Sequence, residues 1–131
     1  MQWDRGDNLG FSGAPEDLLY LPVDKSPDAP CVSDQEKDEN SLLSETRRLL
    51  SLRHRYEDLQ ADAPFEVLRA EADAPFVYRR GSLILALNPS SARAFWRSDQ
   101  LRGRKVGYAI RGAQLGDGRL CLEPGSFALL E

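Results

Sequence analysis

Between residues 41 and 60, SLLSETRRLLSLRHRYEDLQ, apolar residues recur at helical intervals. Leu42, Leu49, Leu52, Tyr56 and Leu59 are spaced by three, four and seven, which puts them on one stripe of a helix. Leu43 and Leu50 widen that stripe. Asp38 or Ser41 can accept the free N–H groups at its start, and Asp38 and Glu39 suit the positive end of the helix dipole. Arg47, Arg48, Arg53 and Arg55 fall later, where the dipole favours cations, and Pro64 stops any continuation. The stripe is wider than one face of a small sheet can cover.

After the helix the period shortens toward two. Residues 65–72, FEVLRAEA, form a first strand-like run. Residues 76–80, FVYRR, and 82–88, SLILALN, follow it and predict a hairpin turning at Arg80 and Gly81. Leu83, Leu85 and Leu87 share one face of that last run and Ile84 and Ala86 the other. A strand apolar on both faces is central, not an edge. Residues 94–97 make a weak strand. Residues 106–110 make a better one, with Gly107 as a candidate bulge. Asp117 and Gly118 are a hairpin signal, flanked by Leu115 and by residues 120–122. Pro124 and Gly125 turn the chain into a last strand at 127–130. Six or seven short strands at close spacing predict an antiparallel sandwich or barrel.

Residues 1–40 are long for a loop. Pro15, Pro22, Pro27 and Pro30 punctuate them, with Gly6, Gly10 and Gly13 between turns. Trp3, Leu9, Phe11, Leu18, Leu19, Tyr20, Leu21 and Val23 are too many apolar side chains for a disordered tail, so the segment is expected to be ordered and to pack on something. The acidic run from Asp34 to Glu39 reads as solvated.

Composition narrows the function classes. The chain has 131 residues, enough for one compact core, and a net charge of −4. No element carries an uninterrupted basic face, so nucleic acid is not an expected partner, and the LRGRK cluster at residues 101–105 reads as a solvated turn. No apolar run approaches ~18 residues, so no membrane span is expected. Cys31 and Cys121 stand far apart without a second Cys or His at metal-ligand spacing; no metal and no cofactor is implied. Two such thiols, with no signal peptide ahead of them, fit a cytoplasmic protein. His54, the only histidine, has no partner for base catalysis by spacing and reads as a surface or helix-packing residue. No nucleophile motif or phosphate loop is present, and nothing fixes two carboxylates across a cleft. Trp3 and Trp96 could stack on sugars, although tryptophan more often packs.

The residues MQWDRGDNLGFS at 1–12 resemble a segment after the eighth barrel strand in oligo-1,6-glucosidases, α-glucosidases and trehalose synthases of the α-amylase superfamily. Met1, Gln2, Trp3, Asp4, Asn8, Gly10 and Phe11 match that motif. Residues 19–43 resemble the next segment of those enzymes, and RRLLSLRHRYEDLQ continues it as their last barrel helix. FVYRRGSLILALNPS resembles the central hairpin of their C-terminal β domain and SFALLE its last strand. The resemblance covers the whole chain.

That resemblance implies a (β/α)8 barrel of roughly 250 residues or more, with its active site at the strand C-terminal ends. Its three catalytic carboxylates would precede Met1, so no catalytic residue is expected here. A truncation, a split gene or an internal start would each give such a chain. The expectation is an α+β fold: a long N-terminal loop, one long amphipathic helix and a small antiparallel β sandwich. Residues 1–60 would be the end of the barrel, with its rim loop and last helix, and residues 61–131 the sandwich. The implied function is the C-terminal part of an α-glucosidase-like hydrolase of short α-glucans in carbohydrate metabolism, inactive alone. Its implied partners are the missing barrel, in cis or in trans, and short α-glucans. The candidate substrate-binding residues are Trp3, on the rim loop, and Trp96. An autonomous carbohydrate-binding or protein-interaction β domain is the alternative reading.

Overall fold

The computed structural model describes residues 1–72 and 75–131. It divides into two compact units, Met1–Arg55 and Tyr56–Glu131. Among the described residues no helix is long and apolar enough to cross a membrane.

In the first unit the long loop is ordered by backbone and side-chain hydrogen bonds. The N-terminal residues lie along residues 24–34. Val32 N–H donates to the Gln2 carbonyl at 3.0 Å and Ser33 N–H to the Trp3 carbonyl at 2.9 Å. The Gln2 amide donates to the Pro30 carbonyl at 3.1 Å and accepts from Asp24 N–H at 3.1 Å. A left-handed turn over Asp7–Gly10, a 3-10 turn, Glu16–Leu18, and a short helix α1, Val32–Gln35, supply the local structure. Ala29 and Cys31 are buried.

Helix α2 spans Leu42–Arg55. Of the two candidate caps it uses Ser41, whose Oγ accepts from Ser44 N–H at 3.1 Å and donates to the Gln35 carbonyl at 2.6 Å. Asp38 caps Asn40 N–H instead, at 2.8 Å. The helix ends earlier than its periodicity predicts. Tyr56 is extended, at φ −103° and ψ 120°, and Glu57–Leu59 form a 3-10 turn. Tyr56 and Leu59 leave the helical stripe and pack instead against Leu83, Leu85 and Leu129 of the sandwich.

The second unit is that sandwich. Strands β1 (Phe65–Arg69), β2 (Phe76–Arg80), β3 (Leu83–Asn88), β4 (Ala94–Arg97), β5 (Val106–Ile110), β6 (Ala113–Gly116), β7 (Arg119–Leu122) and β8 (Ser126–Leu130) form two antiparallel sheets. Their orders are β1-β2-β3-β8-β5 and β4-β7-β6. Both hairpins form, the second at Asp117 and Gly118 as expected, the first one residue later than expected, at Gly81 and Ser82, with Arg80 still in its strand. Arg80 pairs with Leu83 across Gly81, which has φ +53°, and Gly116 pairs with Arg119 across Asp117 and Gly118, both left-handed. The β5–β8 register shifts between Val106 and Tyr108, which makes Gly107 a bulge.

β3 is central, between β2 and β8. Ile84 and Ala86 join Val77, Ala128 and Leu130 against Trp96, Leu120 and Leu122 of the smaller sheet. Leu83 and Leu85 face the other way, toward Tyr56 and Leu59. At the end of β3 the side chain of Asn88 is buried. It donates to the carbonyls of Ala92, Leu122 and Glu123 at 2.8–3.2 Å and accepts from Ser90 N–H and Oγ at 3.2 and 2.7 Å. One amide thus ties the larger sheet to the smaller, with its polar atoms satisfied.

Candidate functional site

The N-terminal loop holds the most specific part of the sequence pattern, and its shape follows from a few polar residues. The Asp4 carboxylate accepts Gly6 N–H at 2.7 Å. The Trp3 and Asp4 N–H groups donate to the Leu9 carbonyl at 2.8 and 3.3 Å. Three consecutive residues are left-handed: Asn8 at φ +48°, Leu9 at +54° and Gly10 at +64°. A branched-chain or β-carbon-bearing residue rarely adopts that region, and such clusters mark functional or tightly over-determined loops. Here the cause is visible. The Asn8 side-chain amide donates to the Ser12 and Ala14 carbonyls at 3.0 and 2.7 Å, which folds the next turn back over it. Gly10 lies so close to Asp4 that an added Cβ would sit 2.7 Å from its Oδ2.

This turn walls an open groove of about 660 Å³, lined by residues including Asp7, Asn8, Ser12, Glu16, Val23 and Lys25. Lys25 pairs with Glu16 at 2.5 Å on its rim. Behind the loop, Arg5 is joined to Asp34 at 2.8 Å. The Asp34 carboxyl is held below the usual range, first by the Cys31 thiol and next by Arg5.

The motif residues divide into two groups. Gln2, Asp4, Asn8 and Gly10 build the loop. The side chains of Met1, Trp3 and Phe11 do not, and they project outward: Trp3 and Phe11 are each 51% exposed. Sequence reasoning singled out Trp3 but missed the loop-building roles. The signal was the alternation of Asp and Asn with Gly, a residue pairing that marks left-handed and Asx turns.

Trp96 is elsewhere. It lies on β4 in the interior of the sandwich, 6% exposed, with Leu101, Leu120 and Leu122 around it. The expectation that Trp96 presents a ring face to a sugar is corrected: its position between the sheets leaves no such face open. Phe95, its neighbour, is the outward aromatic of β4. His54 is exposed on α2. Among the described residues no three His, Cys, Asp or Glu side chains gather where a metal ion could be held.

No family model matches the chain. The probable oligo-1,6-glucosidase 2 of Bacillus subtilis (strain 168) is 36% identical over 81 residues, 61% of this chain and 14% of that protein. The trehalulose synthase MutB of Pseudomonas mesoacidophila MX-45 superposes with a TM-score of 0.79 at 18% identity, over 98% of this chain and 24% of that one. A mutant isomaltulose synthase from Erwinia rhapontici NX5 gives a TM-score of 0.78 at 19% identity with the same coverage. The chain is thus similar in sequence to a part of a probable oligo-1,6-glucosidase and in fold to a part of each of the two synthases. It spans about a seventh of the length of the curated relative and a quarter of the two synthases. The synthases establish the shared fold across nearly the whole chain. The loop and helix of the first unit are therefore part of that shared fold.

Proposed function

We propose that this chain is the C-terminal part of an α-glucosidase-type hydrolase acting on short α-glucans, and that it is inactive alone. The carrying observation is the 36% identity to a probable oligo-1,6-glucosidase over most of the chain. In the superfamily the reaction resembles retaining hydrolysis, with one carboxylate as nucleophile and a second carboxyl as acid and base. Those groups belong to the barrel that precedes this portion.

The partner is that catalytic barrel, in cis or in trans. The exposed apolar side chains support this reading. Among the described residues, Met1, Trp3, Phe11, Leu18, Tyr20, Leu21, Leu42, Leu49 and Leu50 are exposed in the first unit, against Phe65, Val67, Phe95 and Val106 in the second. Apolar exposure on that scale is what a surface cut from a larger core presents. Residues 1–60 are thus proposed as the barrel's rim loop and last helix. Trp3 is proposed as a rim residue near the sugar, because its ring is outward and its backbone is fixed by Leu9 and Ser33. A cytoplasmic place in carbohydrate metabolism belongs to the same proposal, supported by Cys31 and Cys121 being unpaired.

The test is an assay of the purified chain on maltose, isomaltose and an aryl α-glucoside. No turnover is expected with any of them. Turnover that follows the chain through successive purification steps would overturn the proposal.

A further inference from the structure

The outer face of the three-stranded sheet sets two arginines directly opposite each other. Arg97 on β4 pairs with Arg119 on β7, and Phe95 pairs with Cys121 one step along. Trp96 and Leu120 point into the core, so the alternation of a strand sends Phe95, Arg97 and Arg119 outward. All three are exposed. Like charges facing each other across a strand pair are destabilising. Elsewhere among the described residues, nine ion pairs join lysines and arginines to carboxylates. None of these pairs includes Arg97 or Arg119, in a chain whose net charge is negative.

One of the two guanidinium groups is held by its surroundings. The Arg119 guanidinium lies 4.0 Å above the Phe95 ring. Stacking fixes its plane and shields one face from water, while its N–H edge stays available. On β6 the residue opposite Arg119 is Gly116, so no side chain fills that side. At the Arg97 end a depression of about 350 Å³ is lined by Arg97, Ser98, Asp99, Arg102, Asp117 and Gly118. Asp99 is engaged by Arg102 at 2.9 Å. Ser98 Oγ accepts from Gln100 N–H, which leaves its own O–H to donate.

We propose that Arg97 and Arg119 form a binding site for a phosphate group, either free or as the monoester of a small metabolite, with Ser98 as a further donor. Directly opposed residues have Cβ atoms roughly 5 Å apart, so two guanidinium forks can converge on one tetrahedral oxyanion. A phosphate carrying close to two negative charges offsets both cations, whereas a single carboxylate leaves one uncompensated. Asp117 on the same rim opposes an anion, so Asp117→Asn should tighten binding.

The test is calorimetric titration of the full chain at low ionic strength. Inorganic phosphate and glycerol 3-phosphate are compared with sodium chloride at matched ionic strength and with glycerol. Saturable binding of the phosphate compounds is expected, weakened about tenfold or more by Arg97→Gln and by Arg119→Gln. Equal affinity for both assigns the site to phosphate itself, and tighter binding of the ester assigns it to a monoester. Circular dichroism confirms that the variants are folded. Arg97→Lys and Arg119→Lys, which keep the charge and lose the fork, should also bind more weakly. Heats that do not saturate, or an affinity unchanged in folded Arg97→Gln and Arg119→Gln variants, would overturn the proposal.

Discussion

The carboxylate of Asp58 accepts both the backbone N–H and the hydroxyl of Ser82, the N–H at 2.8 Å. Asp58 sits in the turn that follows α2 and Ser82 in the β2–β3 hairpin, so this contact straps the start of the second unit to the centre of its sheet. Arg80 donates to the Gln60 carbonyl and Gly81 N–H to that of Pro64, which extends the strap. The Ser82 bonds hold the Asp58 carboxyl below the usual aspartate range. A depressed carboxylate contributes stability above its unfolded value near ~3.9, and that contribution is lost as pH falls through the folded value. Thermal unfolding of the wild type should therefore fall more steeply with acid below about pH 4 than that of Asp58→Asn. Parallel curves for the two would count against the strap.

Gly81 is committed to the same contact. Its φ is +53°, and an added Cβ would run into the Asp58 carboxylate. Gly81→Ala should cost about 1–3 kcal/mol in urea unfolding. A smaller cost in an Asp58→Gly background would show that the collision, and not the backbone alone, is the cause.

Asn88 should be among the least replaceable polar residues. Asn88→Ala removes the amide donor shared by three carbonyls; that of Ala92 keeps the Ser90 hydroxyl, while those of Leu122 and Glu123, on β7 and just after it, lose a partner. Denaturant unfolding should show a loss of about 2–4 kcal/mol.

Helix α2 has two apolar sides with different fates. Leu50 is 51% exposed and Leu52 only 6%. Leu50→Glu should reduce hydrophobic-dye binding and self-association without loss of helix content. Leu52→Glu buries an unpaired charge and should unfold the first unit. A dye-negative monomeric wild type, unchanged by Leu50→Glu, would mean that the exposed leucines are not an interface.

Much of the sandwich was legible because its signals are local. Leucines and isoleucine filling both faces of residues 83–87 required a central strand, and Asp117 with Gly118 required a two-residue turn. The end of α2 was not legible. Tyr56 and Leu59 fit the helical period as well as the preceding leucines do, and only their packing on Leu83, Leu85 and Leu129 draws them off it. The choice between Asp38 and Ser41 as cap also depended on a distant partner, the Gln35 carbonyl. Trp96 was misplaced for want of applying alternation: charged Arg97 must face out, so Phe95 does too and Trp96 faces in. Trp96→Ala should accordingly cost about 3–5 kcal/mol of stability, and Trp3→Ala within about 0.5 kcal/mol, when each is unfolded in urea.

The central claim is that this chain completes a catalytic barrel that it does not itself contain. The most direct measurement is hydrolysis of an aryl α-glucoside by the Bacillus subtilis relative after its matching C-terminal portion is replaced with this chain. The chimera should turn over substrate, and the relative lacking that portion should not. A folded, monomeric chimera without turnover would contradict the account.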